Sequence, residues 1–186
     1  MVFGRAARLR CGEVLTPNLE QKPLASNAGD ASIARLEKFK SAQGSKKAAE
    51  IRLSLQKAMQ EHCAVFRTEH SMAEGVKKVT AIVDSLGDIA VYDKTMVWNT
   101  DLMEALELDN LAAQAMVTMA SADNRKESRG AHAHEDYSEC DDKKWMKHTL
   151  AWYDSAKNSV KIDYRPVHDY TMTDGIDYIK PKKRVY

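Results

Sequence analysis

His132, His134, Glu135 and Asp136 are crowded into one short stretch, with Cys140 and His148 downstream. Imidazoles and carboxylates ligate transition metals, so a metal site is the first chemistry to test. The spacing matches no established metal motif, and the cluster follows a helix end rather than lying on a helical face. Ser128-Arg129-Gly130-Ala131-His132 sets a hydroxyl near an imidazole, the pairing that activates a nucleophile. No third group is placed to orient the imidazole, and the turn is not a strand-to-helix elbow. What remains is a polar turn that hydrogen-bonds and pairs charges with a neighbouring surface. Arg129 can fork to a carboxylate there, and Gly130 lets backbones approach closely. No catalytic, cofactor-binding or metal-ligating residue is assigned to this chain.

The element that must position this turn is the stretch from Trp98 onward. Leu102, Leu106, Leu108, Leu111, Ala115, Met116, Met119 and Ala120 mostly follow three-and-four spacing. Ala112, Ala113 and Val117 lie off that stripe, so the helix is apolar almost all round and is expected to be surrounded by other elements. From Thr100 to Asp123 it would be roughly 36 Å long. Asn99 or Thr100 caps its start, and Asp101 and Glu104 suit the positive end of the dipole. Arg125, Lys126 and Arg129 lie at the far end, and Gly130 is the expected stop.

Upstream, residues 3 to 15 read as a helix with Phe3, Ala7, Leu9 or Cys11, and Val14 inward and Arg5, Arg8 and Arg10 outward. Pro17 ends it. Residues 17 to 30 read as a loop, and Ser32 to Ala42 as a short helix with Ile33, Leu36 and Phe39 or Ala42 inward. Gln43-Gly44-Ser45 breaks that helix. Lys47 to Phe66 places Ile51, Leu55, Ala58, Met59 and Cys63 along one stripe. Ser71-Met72-Ala73-Glu74 is a capping-box sequence opening the next helix, through Val76, Val79, Val83 and Leu86. Three helices with short connections favour an antiparallel bundle. Residues 133 to 147 read as charged and irregular, His148 to Tyr153 and Val160 to Tyr164 as strands, and Asp169 to Ile179 as one more short strand. Pro166 confines the second strand to an edge or an end. The expected fold is mainly α: a three-helix bundle at 46–130, an N-terminal helix and linker at 1–45, and a charged turn with a small β-containing tail at 131–186.

The chain has 186 residues and a net charge of +1, which gives no electrostatic case for nucleic acid or an anionic membrane as main partner. No apolar run reaches the roughly 18 residues a membrane span needs. Cys11, Cys63 and Cys140 are far apart and form no CxxC, which points to a reducing compartment. Trp98, Trp145 and Trp152 read as core or interface anchors, and the methionines as gap-fillers. Lys180, Lys182, Lys183 and Arg184 read as a solvated basic tail. The N-terminal VFGRAARLRCGEVL is arginine-bearing and amphipathic, as a mitochondrial presequence is, but a helix of the fold is preferred.

Four motifs in order carry a family resemblance: ELDNL at 107–111, NRKESRGAHxxED at 124–136, WMKHT at 145–149 and KIDYRPV at 161–167. Together they resemble the C-terminal, helical part of the succinate dehydrogenase flavoprotein subunit, in the fumarate reductase/succinate dehydrogenase flavoprotein family. The N-terminal VFGRAA and terminal RVY fit the same family, and only residues 18 to 45 are undistinctive. Where the family commonly has arginine, this chain has His134.

The resemblance implies what is missing as well as what is present. Family members hold FAD with a glycine-rich strand-turn-helix, attach it through a histidine, and use an arginine proton donor in a capping domain. None of these motifs occurs here, and the glycines are scattered. The implied picture is a flavoprotein subunit of respiratory complex II cut just after the last flavin-contacting motif, as a natural split subunit, the preferred reading, or as a truncated piece. FAD would be carried by an N-terminal partner chain, with an iron–sulfur subunit and a membrane anchor beyond it. The implied location is the matrix side of the mitochondrial inner membrane, or the cytoplasmic face of a bacterial inner membrane. Phe3, Arg5, Arg129, Gly130, His132 and Asp136 are the expected partner-interface residues. The alternatives are a stand-alone helical interaction module, or the same domain of a fumarate reductase or L-aspartate oxidase.

Overall fold

The computed structural model describes residues 1–182; Lys183, Arg184, Val185 and Tyr186, with the terminal part of the expected basic tail and the RVY motif, lie outside the described residues. The chain divides into two compact units, Met1–Arg35 and Leu36–Tyr186.

In the first unit, α1 (Val2–Val14) is followed by a loop and the start of α2 (Asp30–Lys40). α1 ends where Leu15 turns extended, two residues ahead of Pro17, which cannot continue a helix. The expected inward face of α1 is not turned inward here: no α1 residue is buried, and Phe3 is 88% exposed. The rest of the unit gives that face no buried contact: none of residues 1–35 is buried.

The second unit is built on α3 (Ala48–His62), α4 (Glu69–Asp84) and α5 (Thr100–Asn124), which pack against one another. Leu55 from α3, Met72 and Val79 from α4, and Leu108 and Met119 from α5 are fully buried at the centre. The three-helix expectation holds, with two shifted boundaries. α3 stops at His62, short of the expected Phe66, because the Arg67 guanidinium bonds the carbonyls of Cys63 (2.9 Å) and Ala64 (2.8 Å) that further helix would have used. α4 begins at Glu69, not Ser71. Thr68 caps it by accepting the Ser71 N–H at 3.1 Å, and the Asp136 carboxylate accepts the Glu69 N–H at 2.8 Å. Ser71–Glu74 therefore falls inside the helix, where Glu74 pairs with Lys77 instead of closing a capping box.

Asn99 caps α5 by accepting the Leu102 N–H at 2.8 Å, while its amide donates to the Asp93 and Thr95 carbonyls. The helix stops at Asn124, before Gly130, because Arg125 leaves helical geometry. β1 (Lys46–Lys47) and β2 (Ile89–Ala90), a short parallel pair the sequence did not announce, close the bundle end. Gly44 lies so close to this pair that an added Cβ would sit 2.1 Å from the Asp88 carbonyl oxygen. Replacing Gly44 by alanine is expected to part β1 from β2 and speed amide exchange at Ile89 and Ala90, measurable by hydrogen exchange.

β3 (Lys147–Asp154) and β4 (Ser159–Pro166) form an antiparallel hairpin in which Thr149 faces Tyr164 and Trp152 faces Lys161. The hairpin packs on α5, with Tyr153 and Val160 against the core. Residues 133 to 147 are less irregular than expected, holding a 3₁₀ turn at Glu135–Tyr137 and the short α6 (Asp142–Trp145). The strand expected at Asp169 to Ile179 does not form. Pro166 ends the ladder, having no N–H to give, and the chain beyond it finds no edge to pair with.

Candidate functional site

The Ser128–Asp136 turn is assembled around a carboxylate that sequence reasoning passed over. Glu127 has no exposed side-chain surface. Its two oxygens accept from Arg125 (2.6 Å), from Arg129 (2.8 and 3.0 Å) and from the Asp141 N–H (2.9 Å). Burial alone would raise its carboxyl; the bonds from Arg129, the Asp141 amide and Arg125 outweigh that and hold it below the usual carboxylate range. Arg129 is held fully charged, first by Glu127 and then by Asp142 at 2.6 Å.

Arg125 joins three elements. Its guanidinium also bonds the carbonyls of Trp145 (3.1 Å) and Lys147 (2.8 Å) and the Thr149 hydroxyl (2.9 Å), and it lies 5.2 Å from the Trp145 ring centre. The end of α5 is thereby tied to α6 and β3. The signal for this lattice was present in the sequence. Arg125-x-Glu127-x-Arg129 sets a carboxylate between two guanidiniums in the chain itself, just past the end of α5.

His132 is fixed from both sides. Arg67 lies 2.8 Å from its Nδ1, and its Nε2 lies 3.0 Å from the Arg125 carbonyl. Arginine only donates and a carbonyl only accepts, so the neutral tautomer with its proton on Nε2 is the one that satisfies both. Between Arg129 and His132 the backbones exchange two hydrogen bonds, and Gly130 turns the corner at φ +58°, a conformation glycine adopts without strain. His134 is buried, stacked edge-on against Tyr137 at 4.7 Å, with its backbone N–H donating to the Ser128 hydroxyl and neither ring nitrogen hydrogen-bonded among the described residues. Asp136 caps α4, as described above.

The six expected interface residues thus fall into two groups. Phe3 and Arg5 lie on exposed α1. Arg129, His132 and Asp136 come together and each bonds within the chain; Gly130, Ala131, Ala133, Glu135 and Asp136 are the exposed residues of the turn. Ser128 spends its hydroxyl on backbone, donating to the Tyr137 carbonyl at 2.8 Å, so no Ser–His pair forms. Among the described residues no three metal-ligating side chains converge. Cys140 donates its thiol to the Ser128 carbonyl, and His148 lies on the outer side of β3. A shallow hollow of about 530 Å³ brings Arg67, Arg125, His132 and His148 onto one surface.

Both imidazoles have their pKa lowered, His132 by burial and then by the Arg67 charge, His134 by burial and then by Lys126, against the opposing pull of Asp136 and Glu69. The unfolded chain takes up these protons below about pH 6.5, while the folded one resists. Stability is therefore full above that pH and falls as the pH drops through the folded values. Urea midpoints at pH 8, 6 and 5 should decline, and His132→Gln should flatten the decline. An equally steep decline in the variant would remove His132 from this role.

A family model described as the C-terminal part of the fumarate reductase flavoprotein matches residues 52–186. The chain belongs to that family. It is 45% identical over its whole length to the mitochondrial succinate dehydrogenase flavoprotein subunit of Oryza sativa, covering 29% of that protein. It is 46% identical, again over its whole length, to the Rickettsia bellii flavoprotein subunit, covering 31% of it. A solved quinol-fumarate reductase with menaquinol superposes with a TM-score of 0.81 at 31% identity, over 92% of this chain and 30% of that one. The chain thus corresponds to the C-terminal part of these flavoproteins and spans under a third of their length. Relatives are named for a flavin, but the described residues do not fit a dinucleotide. β1 and β2 are two residues long, β1 runs into α3 with no glycine between them, and Gly44 is packed against Asp88. Among the described residues no helix is long and apolar enough to cross a membrane.

Proposed function

We propose that this chain is the C-terminal brace of a succinate dehydrogenase flavoprotein in respiratory complex II, and that the reacting groups belong to a separate, FAD-carrying partner chain. In that assembly succinate is oxidised to fumarate, and electrons pass from the flavin to an iron–sulfur subunit and on to quinone at a membrane anchor. The observation that carries the reading is the match of the entire chain, at 45–46% identity, to 29–31% of succinate dehydrogenase flavoproteins. The turn supports it. Arg125, Glu127 and Arg129 hold its shape, which suits a rigid prop, and the exposed Gly130–Ala131 tip is left to meet a neighbour. Arg129, His132 and Asp136 act on that interface by positioning the tip, and Phe3 and Arg5 meet the partner from α1. The domain roles follow: residues 1–45 complete the partner's flavin domain, 46–130 are the bundle, and 131–186 carry the turn and tail. The location is the matrix side of the mitochondrial inner membrane, or the cytoplasmic face of the inner membrane in a bacterium.

Native purification tests this. Co-migration with a flavin-bearing chain, and succinate oxidation that needs both, are the expected results; a purified chain that bound flavin or oxidised succinate unaided would overturn the proposal. Hydrogen exchange adds a local test. Residues 2–14 should exchange rapidly in the chain alone and slow at least tenfold in the complex, because α1 buries nothing by itself. Equal protection in both states would count against a docking role for α1.

A further inference from the structure

The loop leading into α5 holds its apolar side chains out of the core. Met96, Val97 and Trp98 are 61%, 73% and 94% exposed, and Met103, one turn into the helix, is 58% exposed. Apolar side chains in succession at the surface are not what a solvated loop selects, and contiguous patches of this kind mark interaction sites. Trp98 is also held at φ +54°. A bulky residue in the left-handed region is strained, and strain persists where surrounding structure imposes it. Here Asn99 imposes it, buried and bonded in three directions as the α5 cap. The strained residue therefore points its indole away from the only core within its reach.

Beside the indole lies a hollow of about 310 Å³, lined by Leu36, Met96, Leu102, Met103 and Leu106 with the Asn99 and Thr100 backbone corner. No charged side chain lines it, so its occupant is apolar, of the size of one or two leucine or phenylalanine side chains.

We propose that this Trp98 patch is a docking site for the flavin-bearing chain, whose apolar side chain fills the hollow against the indole. The inference rests on the function proposed above and adds the surface used. The occupant is chosen over a second copy because more than two thirds of each similar flavoprotein lies outside the part this chain matches. In those relatives the matched part and the remainder belong to one polypeptide, so they occur in equal number.

The test uses the chain with its flavin-bearing partner and reads two quantities of opposite expectation. Trp98→Gly removes the indole and relieves the left-handed strain. The thermal midpoint of the chain alone should stay within about 3 °C or rise, while affinity for the partner falls at least tenfold, as for an aromatic anchor. Met103→Glu puts a charge at the hollow without harming the helix and should weaken association similarly. A clear drop in the midpoint with Trp98→Gly would make the indole structural and overturn the proposal. If the unaltered chain binds the partner and both variants bind as tightly, the patch assignment falls and the proposed function stands. If the unaltered chain does not bind, both fall.

Discussion

Replacing Glu127 by glutamine is expected to lower the unfolding free energy by about 3 kcal/mol, the lower end for breaking a buried charge pair by removing one partner. The low end applies because neither guanidinium is left bare. Arg125 keeps the Trp145 and Lys147 carbonyls and the Thr149 hydroxyl, and Arg129 keeps Asp142. What disappears is the neutralising charge at their centre and one of the two acceptor oxygens, replaced by an amide that can only donate towards the guanidiniums and the Asp141 N–H, in a position with no solvent to substitute. Glutamine matches the volume, so the loss reports charge and bonding and not a cavity. Denaturant unfolding of the variant beside the parent checks the value. The variant should also loosen α6 and the start of β3, read as faster amide exchange over residues 141–149. A loss under about 1 kcal/mol would mean that the three groups pair no better than exposed ions.

That lattice shows where sequence reasoning reached and where it stopped. The apolar spacing of α3, α4 and α5 was enough to place three packed helices, because burial of one face dominates the energetics of a bundle. The ends were misplaced where a side chain outside the apolar stripe supplied the cap. Asp136 acts on α4 from 67 residues away, a separation that no local pattern encodes, whereas Arg67 is only three and four residues from the carbonyls it takes and was simply not read as a stop. The site was found by its histidines, the residues that draw the eye to chemistry, yet its centre is Glu127. The helix ends at Asn124, and two arginines flanking a glutamate just beyond it were the local hint to the pairing. The β1–β2 contact was invisible for another reason. Two residues on each strand carry too little pattern to be seen, and their meeting depends on Gly44 lying against Asp88.

The face of α1 was legible as amphipathic, but amphipathicity says that a helix needs a partner surface and not which chain provides it. The same limit governs Trp98. A tryptophan beside a helix cap reads as an anchor from sequence; only the left-handed backbone shows that it faces outward. Both features are costly in an isolated domain and useful in an assembled one. That is the physical case for regarding this chain as a component whose exposed apolar surface is completed elsewhere.

Gly75→Ala should destabilise the bundle by about 2 kcal/mol, against the direction helix propensity alone dictates. Alanine in place of an interior helical glycine ordinarily gains about 1 kcal/mol. At Gly75, however, a Cβ would lie 2.5 Å from the His62 Cβ on α3, and 2.7 and 2.9 Å from the Met119 Cε and Sδ on α5. The methionine can swing aside. The His62 Cβ cannot, because it is fixed to the α3 backbone, so the new methyl must push two helices apart and unpack the Leu55, Met72 and Met119 layer behind it. Gly87→Ala is the matched comparison, since a Cβ there meets nothing within 4 Å, and it should be neutral or slightly stabilising. Adding Met119→Ala to Gly75→Ala should not restore stability, because the clash with His62 survives it and a core side chain is lost as well. If Gly75→Ala instead stabilised the chain as Gly87→Ala does, the three helices could not meet as closely as this packing requires.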